Sequence, residues 1–509
     1  MSTSTTTATT VPVLVPDDSV LRGVFARTRD AETLERFRAQ GEGCGWCSHP
    51  IRLAGSQVTV ERDTGEIVRA YSSACEPDGV LLKACGTRRA TRCPSCAATY
   101  AADARMLVRS GLLGGKGVPE SVASHPMVFA TFTAPSFGSV HGIRSGGGTH
   151  PCLPGARGRR CSHGRLLACW ARHRFDDPVL GEPLCADCYD YEHAVLWNAS
   201  CSALWHQTTI AIKRALARLL GVSTRELPRR LRVSFAKVAE YQSRGTIHLH
   251  AVIRLDPADG DAPTLEVDAA TLAGAVRLAA AKAAVSFPAG FSGLVRWGTQ
   301  IDVRAITSRA ELAAASNDQG RDGEKSPAAG ARAVANYVAK YATKSTDAAG
   351  ALDRRLRGLG DLDSRAVSGH LRRLAGTAWS LGARPELPRL RPWAHSLGFG
   401  GHWLTKSRRY SVTFAYLRAQ RQAWRITRQA NRAGDPSKTV TISTWEWVGS
   451  GWKTRGDAWL ASIGQRARAR SRLEARDARC LEEARCLERI GPASSARAGA
   501  DPADWERSP

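Results

Sequence analysis

Long apolar runs are missing from this 509-residue chain. No stretch approaches the roughly 18 residues that a membrane-spanning helix needs, so no such helix is expected. The opening MSTSTTTATTVPVLVPDD has neither the charged start nor the apolar stretch of a secretion leader, and reads as a loose lead-in. The expected location is therefore cytoplasmic. A phosphate-binding loop is also lacking. Gly-Gly-Lys-Gly at 114–117 has no Ser or Thr after its lysine and no spaced upstream glycine, so no nucleotide-driven motor is encoded there. Acidic residues are few beside basic ones, 47 Asp+Glu against 72 Lys+Arg. The resulting net charge of +25 points to a polyanionic partner. Arginine far outnumbers lysine, which suits bidentate phosphate and guanine contacts and equally suits a GC-rich coding sequence. Internal repeats are absent.

What is present is a core-forming share of apolar residues, 43 %, in a chain too long for a single core, so two to four domains are expected. Fourteen cysteines in a chain of this kind read as thiols or metal ligands rather than disulfides. Cys44-x2-Cys47 and Cys93-x2-Cys96 form paired knuckles able to supply a tetrahedral zinc ion, with Cys85 as an alternative ligand. The intervening GSQVTVERDTGEIVRAYSS reads as a hairpin bridging them. Cys161, Cys169, Cys185 and Cys188 make a second structural set, with His163 and His173 as substitutes.

Residues 126–136 read as a strand ended by Pro135, and 194–221 have helical periodicity stopped by Gly221. The clearest hairpin is LRVSFAKVAEYQ, a bend at Ser243–Gly245, and TIHLHAVIRL. Its return arm alternates with period two, giving one greasy and one mostly polar face. His248 and His250 share the polar face. Glu240 lies eight residues before His248 on the other arm, where the bend brings its carboxylate towards the imidazoles. Two imidazoles and a carboxylate, with positions left open for phosphate oxygens and water, suit Mg²⁺ or Mn²⁺ acting on a phosphodiester.

Residues 331–344, ARAVANYVAKYATK, read as a helix. Tyr337 and Tyr341 stand i and i+4 on one face, and Lys340 and Lys344 form a second such pair. A tyrosine hydroxyl can attack phosphorus, and lysines stabilise the charge that builds there. The same tyrosines also fit a core-packing stripe with Val334 and Val338.

In order along the chain, FATFTAPS (129–136), the Glu240 to His-Leu-His stretch and YVAKYATK (337–344) resemble the HUH endonucleases. CGTRRATRCPSC, GEPLCADCYDYEHAVLWN and GHWLTKSRRYS extend the resemblance over nearly the whole chain, to rolling-circle replication initiators of actinobacterial plasmids and integrative conjugative elements. The resemblance implies an α+β fold, an antiparallel sheet with flanking helices of ferredoxin- or RRM-like type. Small zinc modules and a helical, basic C-terminal region accompany it. By motif position His248, His250 and Glu240 match the metal ligands, Tyr341 the primary nucleophile, Tyr337 a second tyrosine, and Lys340 and Lys344 the helix lysines. The implied reaction is a site-specific nick in a plasmid origin, in single-stranded or cruciform form, through a 5′-phosphotyrosine. A host polymerase extends the free 3′ end, and a host helicase unwinds. The expected organisation is a lead-in over 1–40, a zinc-ribbon-like module over 41–118 and a nicking-joining domain over 119–350 with a Cys-rich insert at 150–193. A basic DNA-binding region over 351–464 and a charged helix with a tail over 465–509 complete it.

Basic and aromatic residues alternate over 402–429, where Lys406, Arg408 and Arg409 are the expected DNA contacts; a solvated basic face fits the same pattern. Two other readings stay open: a conjugative relaxase or transposase with the same chemistry, and a non-catalytic zinc-ribbon nucleic-acid-binding regulator.

Overall fold

The computed structural model describes residues 17–144, 149–155, 158–258, 267–306, 354–363, 367–429 and 438–490, the side chains of 425–429 and 479–490 excepted. The expected tyrosine helix, with Tyr337, Lys340, Tyr341 and Lys344, lies outside the described residues. Two compact units form, one from Met1–Ala98 with Trp424–Arg497 and one built on Thr99–Ala423.

In the first unit, helices α1 (Asp18–Thr28) and α2 (Ala31–Gly43) start at aspartate caps: Asp17 accepts the N–H of Val20 at 3.0 Å, and Asp30 that of Thr33 at 2.7 Å. The stretches with β-branched residues then form antiparallel strands β1 (Ile51–Glu61) and β2 (Ile67–Ser72), and Leu81–Lys83 adds a short β3 paired with β1. The hairpin expected over residues 55–73 is β1 with β2. The C-terminal strand β11 (Thr439–Ser450) completes the sheet, running along β1 from Ile51↔Ser450 to Glu61↔Thr439. Nothing local in the sequence indicates that pairing. The charged C-terminal helix (Arg455–Ile490) packs on α1, where Arg27 donates to Asp457 at 2.7 Å.

The second unit is built on a five-stranded antiparallel sheet in the order β10 (Leu404–Lys406), β5 (Leu231–Tyr241), β6 (Ile247–Pro257), β4 (Met127–Phe132), β9 (Ile301–Ala305). A short separate hairpin, β7 (Ala284–Ser286) with β8 (Leu294–Arg296), lies beside it in sequence. The unit is thus α+β. Strand β6, with the His-Leu-His motif, is central and paired on both sides. Its odd face (Ile247, Leu249, Ala251, Ile253, Leu255) packs with α4 (Tyr191–Leu219), α5 (Ala269–Lys282) and α6 (Gly369–Leu381) in the main core. Helix α4 contributes Leu196, Leu204, Ile212 and Leu216, and ends where Gly221 takes φ +65°, as its periodicity predicts.

The even face departs from the expected mostly polar one. Val252 packs with Ala104, Leu107, Val108 and Leu112 of α3 (Pro94–Leu113) and with fully buried Tyr410, forming a second core. Arg254 on this face is buried too, paired with Asp256 at 2.5 Å; Asp256 also takes the Ser234 hydroxyl (2.6 Å) and lies 2.9 Å from His125 Nδ1. The polar letters of β6 therefore record an internal ion-pair network and not solvent. Towards the hairpin end this face lines a cleft at the histidines, His248 part-exposed and His250 buried.

Candidate functional site

The hairpin places the histidines. Tyr241 pairs with Ile247, and Gly245, at φ +77°, turns the chain; a Cβ there would stand 2.4 Å from Leu374 Cδ1. Buried Asn198 of α4 holds the turn from behind. Its Oδ1 accepts the Ile247 N–H (2.9 Å), while its Nδ2 donates to the carbonyls of Gly245 (2.9 Å) and Leu397 (3.0 Å). From the tip, Arg244 donates to Pro135 O and Ala134 O at 2.8 Å each, tying the bend to the segment after β4.

With the register so fixed, Glu240 lies opposite His248, and Val238 opposite His250. The Glu240 carboxylate crosses diagonally to His250, Oε2 to Nε2 at 3.3 Å. The two imidazole centroids stand 4.5 Å apart. Thr131 of β4 lies opposite His250, its Oγ1 3.1 Å from Nδ1, and Phe129 stacks on the ring at 5.7 Å and 8°. Thr133 Oγ1 is 3.4 Å from His248 Nε2. Hydroxyls beside ring nitrogens fix ring orientation. Burial pushes the His250 pKa down to about 4, and burial with the neighbouring His250 and Arg244 charges pushes His248 well below the ordinary value. Both rings are neutral near pH 7, the form that donates a lone pair to a metal. The trio opens into a cleft of about 2010 Å³, lined also by Gln242, Arg244, Arg296, Trp297 and residues of the Cys-rich insert.

Among the described residues three side-chain groups, none of them the trio of Glu240, His248 and His250, have ligand atoms within 4.8 Å of one another and could each hold a metal ion such as zinc. The first is Cys47, Cys85, Cys93 and Cys96. Cys85 thus stands where Cys44 was expected. Cys44 is buried beside the cluster with its Sγ 3.3 Å from the Gly41 carbonyl. The Cys47 and Cys96 thiols that face Cys93 pull its pKa strongly down, while Cys47 is pushed up.

The expected set of Cys161, Cys169, Cys185 and Cys188 resolves into two. Cys161, His163, Cys185 and Cys188 form one group; His141, Cys152, Cys169 and His173 form the other. Ligand pairs alternate along the chain, first with third and second with fourth, so the insert is cross-braced. That interleaving separates Cys169 from Cys185 and Cys188, and recruits His141 and Cys152, which spacing alone did not single out. Gly181 of the insert, at φ +86°, lies so close to the hairpin bend that a Cβ would stand 2.2 Å from the Ser243 carbonyl carbon.

Lys406 is half-buried on edge strand β10, donating to the carbonyls of Ser407 (3.3 Å) and Arg408 (3.1 Å), while Arg408 and Arg409 are exposed. Among the described residues no helix is long and apolar enough to cross a membrane.

The family model described as "Replication initiator protein, pSAM2" (RepSA) matches residues 33–466. A replication initiator protein of Streptomyces ambofaciens is 40 % identical over 474 residues, covering 91 % of this chain and 96 % of that protein. No solved structure matches the chain. A match over most of the chain to the family model, joined to that near full-length relative, places it plainly: the chain belongs to the RepSA family of replication initiator proteins.

Proposed function

We propose that this initiator is a site-specific DNA nickase and strand transferase of the HUH type, starting rolling-circle replication of a plasmid or integrative element through a 5′-phosphotyrosine on Tyr341. The observation that carries the reading is the convergence of Glu240 on His250 across β5 and β6, beside His248, in the lining of a cleft of about 2010 Å³. That volume exceeds the roughly 300–1,000 Å³ of small-ligand pockets and suits a polymer.

His248, His250 and Glu240 would hold Mg²⁺ or Mn²⁺, whose chemistry there is Lewis-acid polarisation of the scissile phosphate. Two neutral imidazoles and one carboxylate fit such an ion, because they leave it cationic and leave coordination positions for phosphate oxygens. Thr131, beside His250 Nδ1, keeps Nε2 directed at Glu240. The Tyr341 hydroxyl oxygen bonds to phosphorus, the bond from phosphorus to the 3′ oxygen breaks, and the phenol proton ends on that oxygen. Lys340 and Lys344 offset the negative charge of the phosphoryl oxygens, and Tyr337 serves a second transfer. No bond energy is lost, so a later hydroxyl reverses the step without ATP. Host helicase and polymerase act on the opened strand.

The three Cys/His groups would hold structural zinc. Four sulfurs about 2.3 Å from a tetrahedral zinc stand about 3.8 Å apart. The Cys47–Cys93, Cys47–Cys96 and Cys85–Cys96 separations are 3.8, 3.6 and 3.7 Å.

Labelled origin-strand oligonucleotides incubated with Mn²⁺ test the reading. Wild-type protein should cut at one position and remain attached to the 5′ side. Tyr341→Phe should bind and not cut, and His250→Ala should lose cutting by roughly 10- to 100-fold or more. Cutting by Tyr341→Phe at the wild-type rate would refute it. Failure of the wild type on every origin segment would favour the non-catalytic regulator.

A further inference from the structure

The insert carries a feature that neither its zinc chemistry nor the nicking step uses. Between Cys169 and Asp177 the chain reads Cys-Trp-Ala-Arg-His-Arg-Phe-Asp-Asp. Cys169 and His173 belong to one metal-ligand group, with Sγ 3.5 Å from Nε2, and His173 Nδ1 is 2.7 Å from Asp177 Oδ2. These three residues pin the loop at its start, middle and end. The residues between them point outward: Trp170 is 44 % exposed and Phe175 61 %, and Arg172 and Arg174 are exposed beside them. Two large aromatic rings held open to solvent on a braced loop lie against the usual burial preference. Interleaved with guanidinium groups, they are what an unpaired nucleic-acid strand requires, since bases stack on the rings while phosphates meet the cations. Phe175 also lines the cleft that holds His248, His250 and Glu240.

We propose that the loop Trp170–Phe175 is a single-strand clamp, which stacks unpaired bases of DNA and feeds that strand into the cleft. It rests on the nicking reading for its biological purpose, but its test does not. The partner is single-stranded because duplex DNA keeps its base faces hidden within the stack, where neither ring reaches them. The net charge of +25 supplies the long-range attraction. Bracing matters for the same reason: a loop pinned by metal ligands presents its rings without first having to be ordered.

Full-length protein with its bound metals, and with no Mg²⁺ or Mn²⁺ added, is titrated by fluorescence anisotropy. The probes are a labelled oligothymidylate of roughly 16 nucleotides, the upper site size of a single-strand groove, and a duplex of matching length. Trp170→Ala/Phe175→Ala should weaken single-strand binding by roughly 5- to 150-fold per lost stack and leave duplex binding nearly unchanged. Trp170→Phe/Phe175→Tyr should restore most of it. Equal loss on both probes, or no loss on the single strand, overturns the clamp. Should the alanine variant release zinc, photocrosslinking of the wild type to iododeoxyuridine-substituted oligonucleotide decides. Crosslinked peptides containing residues 170–175 support the clamp, and crosslinks confined to other peptides overturn it. Because nothing is cut under these conditions, wild-type affinity in the alanine variant overturns the clamp even where Tyr341 forms its adduct. A lost single-strand preference supports it even where no adduct forms.

Discussion

Asn198, wholly buried in α4, accepts the Ile247 N–H at 2.9 Å and so fixes the residue that precedes His248. The same amide donates to two carbonyls, one of them at the hairpin bend. Removing it strands a buried donor and two buried acceptors. Each such group costs about 1–3 kcal/mol when left without a partner. Asn198→Ala should destabilise the protein by on the order of 3 kcal/mol. It should also reduce divalent-metal affinity at His248 and His250, because the register of the strand loosens. Denaturant unfolding together with Mn²⁺ titration checks both; a full loss of stability with unchanged Mn²⁺ affinity would show that Asn198 does not position the histidines.

The metal-ligand groups make a count. With three clusters among the described residues, the zinc reading predicts three zinc ions per chain bound there in purified protein. Cys85→Ser should lose one, while Cys44→Ser keeps all three. Within the insert, Cys169→Ser and Cys188→Ser should each lose one ion and the double variant two, because the residues belong to different groups. Elemental analysis after gel filtration reads this directly. A single ion lost in the double variant would mean the insert holds one site.

Buried Arg254 and Asp256 lock β6 to the second core. Asp256→Ala leaves the guanidinium charged and unpaired inside, a change that costs about 3–5 kcal/mol. Arg254→Met/Asp256→Leu removes both charges and should cost far less, since replacing a whole buried pair is often neutral. Comparable losses from the single and double variants would show that the network's geometry, and not its charge, is what matters.

Acid should act in two stages. His250 falls from an ordinary 6.5 to about 4 in the fold through burial, and His248 is lowered in the same direction. Below pH 6.5 the unfolded chain binds protons that the folded one refuses, so stability falls as pH drops from 6.5 towards 4. For His250 alone the loss approaches about 3 kcal/mol. Asp256 adds a second stage. Burial alone would raise its pKa, but hydrogen bonds from His125 and Arg254 outweigh that and hold it at about 2. Its contribution is present above the ordinary 3.8 and is lost as pH falls through 2. Thermal unfolding of metal-chelated protein across this range should show the upper stage flattened in His250→Gln. An unchanged slope in that variant would place the acid sensitivity elsewhere.

Much of this architecture was legible in the chain, and the rest was not for identifiable reasons. The hairpin of β5 and β6 announced itself through period-two alternation and Ser243-Arg244-Gly245, and α4 through its leucine spacing and Gly221. Those are local signals. The even face of β6 misled because Arg254 and Val252 look like surface letters until α3 and Tyr410 cover them. Pairing of β1 with β11 is non-local, so no window of sequence contains it. Cross-bracing escaped for a related reason: Cys161, Cys169, Cys185 and Cys188 stand at irregular intervals, and which residues share an ion depends on how the chain folds back. His141 and Cys152 carry no spacing signature, although Cys169-x3-His173 hinted that a histidine joined the set. Asn198, Thr131 and Arg244 act through the backbone or through a ring nitrogen, which residue type alone does not advertise.

The nicking reading stands or falls on which atom takes the phosphate. Wild-type protein is mixed with a phosphorothiolate-containing origin strand that traps the covalent product, then digested and sequenced by tandem mass spectrometry. The account predicts nucleotide mass on Tyr341, with none when Glu240 and His250 are both replaced by alanine. Nucleotide mass on a residue outside 337–344, or an adduct that survives loss of both ligands, would contradict it.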